Sequence, residues 1–353
     1  MILTKINLPT TICSLLLLST GILVISTSSQ DLALQQLIFA LIGTAAFLFV
    51  SYFDYRSIKN LIIPLYISIL LLLVLLSFLG VETRGSIRWI PLGFFNIQPS
   101  EFTKPILILV LAFFWSKNFP NWKNILISFL WALPLILLIF RQPDLGSALT
   151  LGAVWFGMLV ASQVSFKKIV VLAAVAMLII PMGWLSLHDY QRQRITSFLA
   201  PHSDPLGRGY NLIQSTIAVG SGQFLGRGLG RGTQSRLQFL PEFRTDFIFA
   251  SIAEEMGFIG SVIILSIYLF LITYFLKLSE KTFDLFGHLI VFGVMSMLLF
   301  QTTVNIGMNI GLIPITGITL PLISYGGSSL VATLISLGLV ASVARFKRRV
   351  YPD

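Results

Sequence analysis

Apolar stretches of nearly 20 residues recur along the whole chain, separated by short polar segments. An α-helix needs about that length to cross the hydrocarbon core of a bilayer. Ten stretches are predicted as membrane helices: 8–27, 34–53, 60–79, 101–116, 124–140, 145–163, 168–187, 247–276, 285–305 and 327–344. The fourth and fifth are short, which suits a tilted or re-entrant course. The rhythm breaks twice. Residues 188–246 form one long polar segment. Residues 305–330, NIGMNIGLIPITGITLPLISYGGSSL, contain Pro314 and Pro321, which forbid a regular helix. Irregular backbone at membrane depth needs protein or water around it. This segment is therefore expected to line a cavity as a partly re-entrant loop before the last helix. The predicted fold is an all-α polytopic membrane protein, one domain over 1–353, with no soluble domain and no tandem repeat.

Composition supports this reading. Of 353 residues, 56% are hydrophobic and 11% charged, and the mean hydropathy is +0.89. A soluble domain carries about 25% charged residues, so too little polar surface exists here to solvate a globule. The single cysteine, Cys13, lies inside the first apolar stretch and excludes a disulfide within the chain. Three histidines without a Cys/His cluster exclude a zinc site of the usual kind. The first stretch is long and lacks small processing residues after it, so it is expected to stay as a helix rather than act as a cleaved signal.

The net charge of +10 points to basic loops facing the cytoplasm rather than to nucleic acid. With both termini inside, the cytoplasmic loops hold Lys5, Arg56, Lys59, Lys117, Lys123, Lys167, Lys168, Lys277, Lys281 and the basic C-terminal segment. The short outer loops hold only Arg84, Arg88, Lys104 and Arg141. The long segment 188–246 is then extracytoplasmic. Its basic residues, among them Arg192, Arg194 and Arg244, are all arginine, the side chain suited to bidentate recognition of phosphate or carboxylate. It also contains GSGQFLGRGLGRG, a glycine-rich loop able to bring backbone N–H groups against phosphate oxygens. No preceding strand or βαβ unit accompanies it, which excludes a nucleotide-binding loop.

Polar groups at membrane depth are candidate functional residues, and four outward clusters contain them. TRGSIRWIPLGFFNIQPSEFTK (83–104) carries Arg84, Arg88, Glu101 and Lys104, with Ser100 placed to cap a helix and Glu101 and Lys104 on one face. RQPDLGSAL (141–149) contains Asp144, read as a helix cap in a simple turn. LPEFRTDFIFASIAEEMGFIG (240–260) contains Glu242, Arg244 and Asp246 at the lip of an apolar run, with Glu254 and Glu255 two turns in. Asp246 is placed to cap that helix, but Ser, Thr or Asn would cap equally well, so a charge beside Arg244 suggests a reactive carboxylate. One of Glu254 and Glu255 is expected to meet a basic group or a cavity. The fourth cluster is the proline-broken loop, where Ser324 and its neighbours offer hydroxyls and bare backbone. Together these suit an anionic, lipid-linked substrate at the outer leaflet.

The motifs QPSEFTK, QPDLGSAL, LPEFRTDFIFASIAEEMGFIG and PLISYGGSSL, in this order, closely resemble those of the SEDS family (shape, elongation, division and sporulation), which includes RodA, FtsW and SpoVE. The likeness spans about residues 83–345. GTQSRLQFLPE and the short N-terminus look more like the elongation type, RodA, than the division type, FtsW. The resemblance implies a peptidoglycan glycosyltransferase in the bacterial cytoplasmic membrane, acting in cell elongation or division. It also implies lipid II, an undecaprenyl-pyrophosphate-linked substrate, and a class B penicillin-binding protein as partner. The family's essential carboxylate falls on Asp246. The family often has His where this chain has Arg244. Asp246 is then a general base or a metal ligand. A suspected Mg²⁺ or Mn²⁺ would take oxygen ligands from Asp246, Glu101 or the pyrophosphate. Candidate substrate-binding residues are Arg84, Arg88, Glu101, Lys104, Arg192, Arg194, Glu242, Arg244 and Ser324. The main alternative is a lipid II flippase, because broken helices and buried charges also suit transporters.

Overall fold

The computed structural model describes residues 7–347, apart from 80, 84–85, 92–95, 187–188, 208 and 238. The helices are α1 (Leu8–Ser26), α2 (Gln30–Tyr52), α3 (Ile62–Leu79), α4 (Pro99–Trp115), α5 (Trp122–Arg141), α6 (Leu145–Ala161), α7 (Phe166–Ser186), α8 (Asp189–Leu199), α9 (Tyr210–Ser221), α10 (Thr233–Arg236), α11 (Ile248–Glu280), α12 (Leu285–Asn309) and α13 (Gly327–Lys347). A small antiparallel sheet, β1 (Val81–Thr83), β2 (Ser86–Pro91) and β3 (Asn96–Ile97), lies between α3 and α4.

Each of the ten expected stretches holds one of these helices, and the protein is an all-α multi-pass membrane protein. Among the described residues, seven helices are long and apolar enough to cross a membrane. The fifth stretch is not short: α5 has 20 residues. The sheet was not expected, because SIRWIP is too brief to separate from loop by periodicity. The long polar segment is not open loop but carries α8, α9 and α10.

Large apolar side chains on α1, α2, α3, α5 and α11 point outward, among them Leu41, Phe49, Leu71 and Leu269, each more than 60% exposed. In water such a belt would be an aggregation surface; against hydrocarbon it is the solvated face. The centre belongs to α12 and α13, most of whose residues are buried. α2 lies along α13, while α4 and α6 pack on α12. Helix starts follow the local sequence. Ser29 accepts the Leu32 N–H at α2, Asn121 accepts that of Asn124 at α5, and Asp284 accepts that of Gly287 at α12.

One helix is broken. Within α11, Gly257 has φ 67° and ψ −163°, a conformation open to glycine and strained for other residues. The freed backbone groups are paired with the glycine-rich loop. Arg227 N–H donates to Glu254 O (2.9 Å) and Gly228 N–H to Glu255 O (3.0 Å). Phe258 N–H donates to Gln223 O (2.8 Å) and Ile259 N–H to Phe224 O (3.2 Å). A methyl group on Gly226 would meet the Glu255 carbonyl, and one on Gly257 would meet the Gly226 nitrogen. The glycines therefore serve this close approach. Two of the loop's amides are spent on α11, not held ready for phosphate.

Candidate active site

Asp246 lies in the turn before α11, and that turn is held by its backbone. Three successive carbonyls accept bonds from the segment around the proline-broken loop. Arg244 O accepts the Tyr325 N–H (2.8 Å). Thr245 O accepts the Ser324 hydroxyl (2.6 Å). Asp246 O accepts Nδ2 of Asn305 (2.9 Å) and of Asn309 (3.0 Å). The proline-broken loop is in turn tied to α2, where the Gln36 side chain donates to Ser324 O and accepts the Gly326 N–H.

The Asp246 side chain is partly exposed. Among the described residues its carboxylate accepts no hydrogen bond; the bonds to Asp246 are made to its backbone. Burial pushes its pKa up, the Glu242 and Asp144 carboxylates push the same way, and Arg194 and Arg88 pull it down, leaving it at about 6. Such a carboxylate is ionised at neutral pH yet basic enough to take a proton. Opposite it stands Gly317: an added methyl there would lie 3.5 Å from Asp246 Oδ2 and 3.7 Å from Arg194 Nη1. The bare backbone leaves that space open between carboxylate and guanidinium.

Arg88 is fixed on β2 by donating from Nε to Gln142 O (2.8 Å) and from Nη2 to Pro143 O. It thereby holds the turn that ends in Asp144. Asp144 caps α6 through the Ser147 N–H (3.1 Å), and its other oxygen accepts from Gln98 Nε2 and the Ser100 hydroxyl at the start of α4. Read from sequence as a simple turn, Asp144 instead joins two helix starts within electrostatic reach of Asp246.

Several expected roles change. Asp246 does not cap α11: the N-cap is Phe247. Ser100 does not cap α4, whose N-cap is Gln98. Arg244 turns away from Asp246 and donates from Nε to the Ser28 hydroxyl (2.9 Å) and from Nη2 to Ser28 O, over the Phe243 ring. Ser324 is buried, donating to Thr245 O and accepting the Leu320 N–H (2.8 Å), so it positions backbone and is not placed to bind substrate. Glu101 and Lys104 form the expected pair, and both are buried: Lys104 Nζ lies 2.8 and 2.7 Å from the two carboxylate oxygens. They are not among the charges that move Asp246, nor is Arg192 on α8. Glu242 is exposed, and its carboxylate accepts the Thr245 hydroxyl (3.0 Å). Arg84 lies outside the described residues. Glu254, fully buried, caps α10 by accepting the Gln234 and Ser235 N–H groups. Glu255 accepts the Thr27 hydroxyl and lines a cavity of about 10 Å³, room for one water, together with Arg244.

As a metal site the arrangement is sparse. Glu101 does not fit, since Lys104 occupies both of its oxygens. Among the described residues no group of three His, Cys, Asp or Glu is placed to hold a metal. Asp246 fits as a single carboxylate, which suits an Mg²⁺ whose other ligands are water and substrate phosphate.

A family model described as "cell cycle protein", with FtsW, RodA and SpoVE in its name, matches residues 2–349. The chain belongs to this family. It is similar to the "Peptidoglycan glycosyltransferase MrdB" of Escherichia coli K12, with 42% identity over 79% of this chain and 76% of that one. It is also similar to the "Probable peptidoglycan glycosyltransferase FtsW" of Trichlorobacter lovleyi, at 37% over 88% and 82%. A solved structure titled "Structural coordination of polymerization and crosslinking by a peptidoglycan synthase complex" contains a chain 33% identical, with a TM-score of 0.84 over 99% of both chains. Within this FtsW/RodA/SpoVE fold, Asp246 is a partly exposed carboxylate on which Arg194 and Arg88 act electrostatically. The sequence alone did not pair Asp246 with Arg88 and Arg194, because more than 50 residues separate it from Arg194 and more than 150 from Arg88.

Proposed function

We propose that this peptidoglycan glycosyltransferase polymerises lipid II at the outer face of the bacterial cytoplasmic membrane, with Asp246 as the general base. The observation that carries the reading is the partly exposed Asp246 carboxylate, raised to about 6 with Arg194 and Arg88 near enough to act on it and Arg194 beside it across Gly317. The acceptor presents the 4-hydroxyl of its GlcNAc. Asp246 takes that proton as the oxygen attacks the MurNAc anomeric carbon of the donor. The bond to the polyprenyl diphosphate breaks on the opposite side, and the α link becomes β. One base suffices for such a single displacement, whereas retention needs a second carboxylate as nucleophile. Arg88 and Arg194 are placed to neutralise the diphosphate as it departs. A divalent cation would supply positive charge for the same leaving group, and Asp246 is the carboxylate here that would hold it, in place of its role as base.

The clustering of polar motifs at one end of the bundle supports an outward site with both termini in the cytoplasm, as does the loop charge asymmetry. The higher identity to MrdB than to the FtsW named above favours an elongation role. A class B penicillin-binding protein is the proposed partner, consistent with the polymerisation and crosslinking named for the related complex.

The test is reconstitution of the full chain with that partner in vesicles holding labelled lipid II. Glycan polymer is expected. Lipid II crossing the bilayer with no polymer would overturn the reading in favour of a flippase. In EDTA, polymer yield is expected to fall at least about tenfold and to return with Mg²⁺; unchanged yield would remove the exchangeable ion.

A further inference from the structure

An aspartate just before a helix ordinarily accepts N–H groups of the first turn. Asp246 does not. The N-cap of α11 is Phe247, which has no side-chain acceptor. The first-turn N–H of Ala250 is instead taken by Asn309 Oδ1, from the last turn of α12, at 3.0 Å. Asn309 is fully buried. Its Nδ2 donates to the Asp246 carbonyl (3.0 Å) and to Asn305 O (2.8 Å). Asn305, one turn earlier and equally buried, donates to the Asp246 carbonyl (2.9 Å) and to Ile318 O (2.7 Å). The Ser215 hydroxyl on α9 anchors the Asn309 backbone (2.8 Å).

We propose that Asn309 is a positioning residue: it caps α11 from a neighbouring helix and thereby leaves the Asp246 carboxylate free to meet substrate. The proposal rests on Asp246 as the base. A buried N–H without an acceptor is costly, and an aspartate just before a helix is a side chain suited to supply one. Without Asn309, the start of α11 re-forms with Asp246 as its cap. The carboxylate then turns toward the start of α11 and away from Gly317 and Arg194, beside which it now lies.

The experiment is the kinetics of lipid II polymerisation by the full chain with its partner, for Asn309→Ala, Asn309→Asp and Asp246→Asn, each measured per folded molecule. Asn309→Ala is expected to lower kcat about tenfold or more and to keep KM within about twofold. Asn309→Asp keeps an acceptor for Ala250, so it is expected to restore kcat to within about threefold of the wild type. That loss with that rescue supports the role. A residue that merely packs would give less folded protein in both variants with kcat unmoved, and that result overturns it. If Asn309→Ala yields no folded protein, Asn309→Asp decides, and a kcat at or below about a tenth of the wild type overturns the role. Polymer formation by Asp246→Asn would overturn the reading of Asp246. An inactive Asp246→Asn beside Asn309→Ala with the wild-type kcat would overturn only the positioning role.

Discussion

Two carboxylates and two guanidinium groups act on Asp246, and its protonation state decides whether it can serve as the proposed base. Because its pKa lies at about 6, activity is expected to rise as pH increases from about 5 to 7, as the base ionises. Glu242 raises that value from an exposed position, so Glu242→Gln is expected to shift the acid limb to lower pH, whereas Arg194→Ala shifts it upward and lowers kcat. A pH–rate series on the two variants checks both directions. Stability moves the other way. The folded chain keeps a proton on Asp246 between about 4 and 6 that the unfolded chain releases, so this group's contribution declines as pH rises through that window. Sequence made Asp246 legible as a charge at an apolar lip. It mistook Arg244 for its partner, because adjacency along the chain says nothing about direction: the guanidinium of Arg244 goes to Ser28. The partners that act on Asp246 come from β2, α6 and α8, brought together only by the fold. Glu101 and Lys104 were legible as a pair from spacing alone. Their burial means that Glu101→Gln leaves Lys104 charged and unpaired, at an expected cost of about 3–5 kcal/mol, measurable as a lower thermal midpoint in detergent.

The helices themselves were legible because a membrane span is long and uniformly apolar. The break in α11 was not. FIFASIAEEMGFIG reads as one helix, since an isolated glycine is tolerated inside such a pattern. What makes Gly257 a break is the glycine-rich loop, which supplies the partners that the interrupted helix lacks. Gly226→Ala and Gly257→Ala are each expected to cost about 2 kcal/mol or more, through a positive φ and lost backbone pairing. Gly220→Ala is the control, because open space surrounds it. Thermal unfolding of the three variants separates a pairing role from general loop flexibility; equal midpoints would refute it. The same pairing shows why the loop's glycines, first read as a phosphate cradle, belong to the architecture of α11.

Across the whole molecule, one end of the bundle gathers the starts of α4, α6 and α11, the end of α12 and the proline-broken loop. The order of the four motifs in sequence carried the family, since each is long and specific. Their convergence on one carboxylate did not show there, because it depends on contacts such as Asn305 and Asn309 to the Asp246 carbonyl. Those asparagines precede the fourth motif, at the head of segment 305–330, and their signal, two amides one helical turn apart at a helix end, is also that of an ordinary helix terminus. The most direct test of the central claim is polymerisation of labelled lipid II by Asp246→Asn, with the chain folded and bound to its partner as in the wild type. Loss of glycan polymer by at least about a hundredfold is expected, the scale of a removed general base. Polymer at the wild-type rate would contradict the assignment of Asp246 to the chemistry.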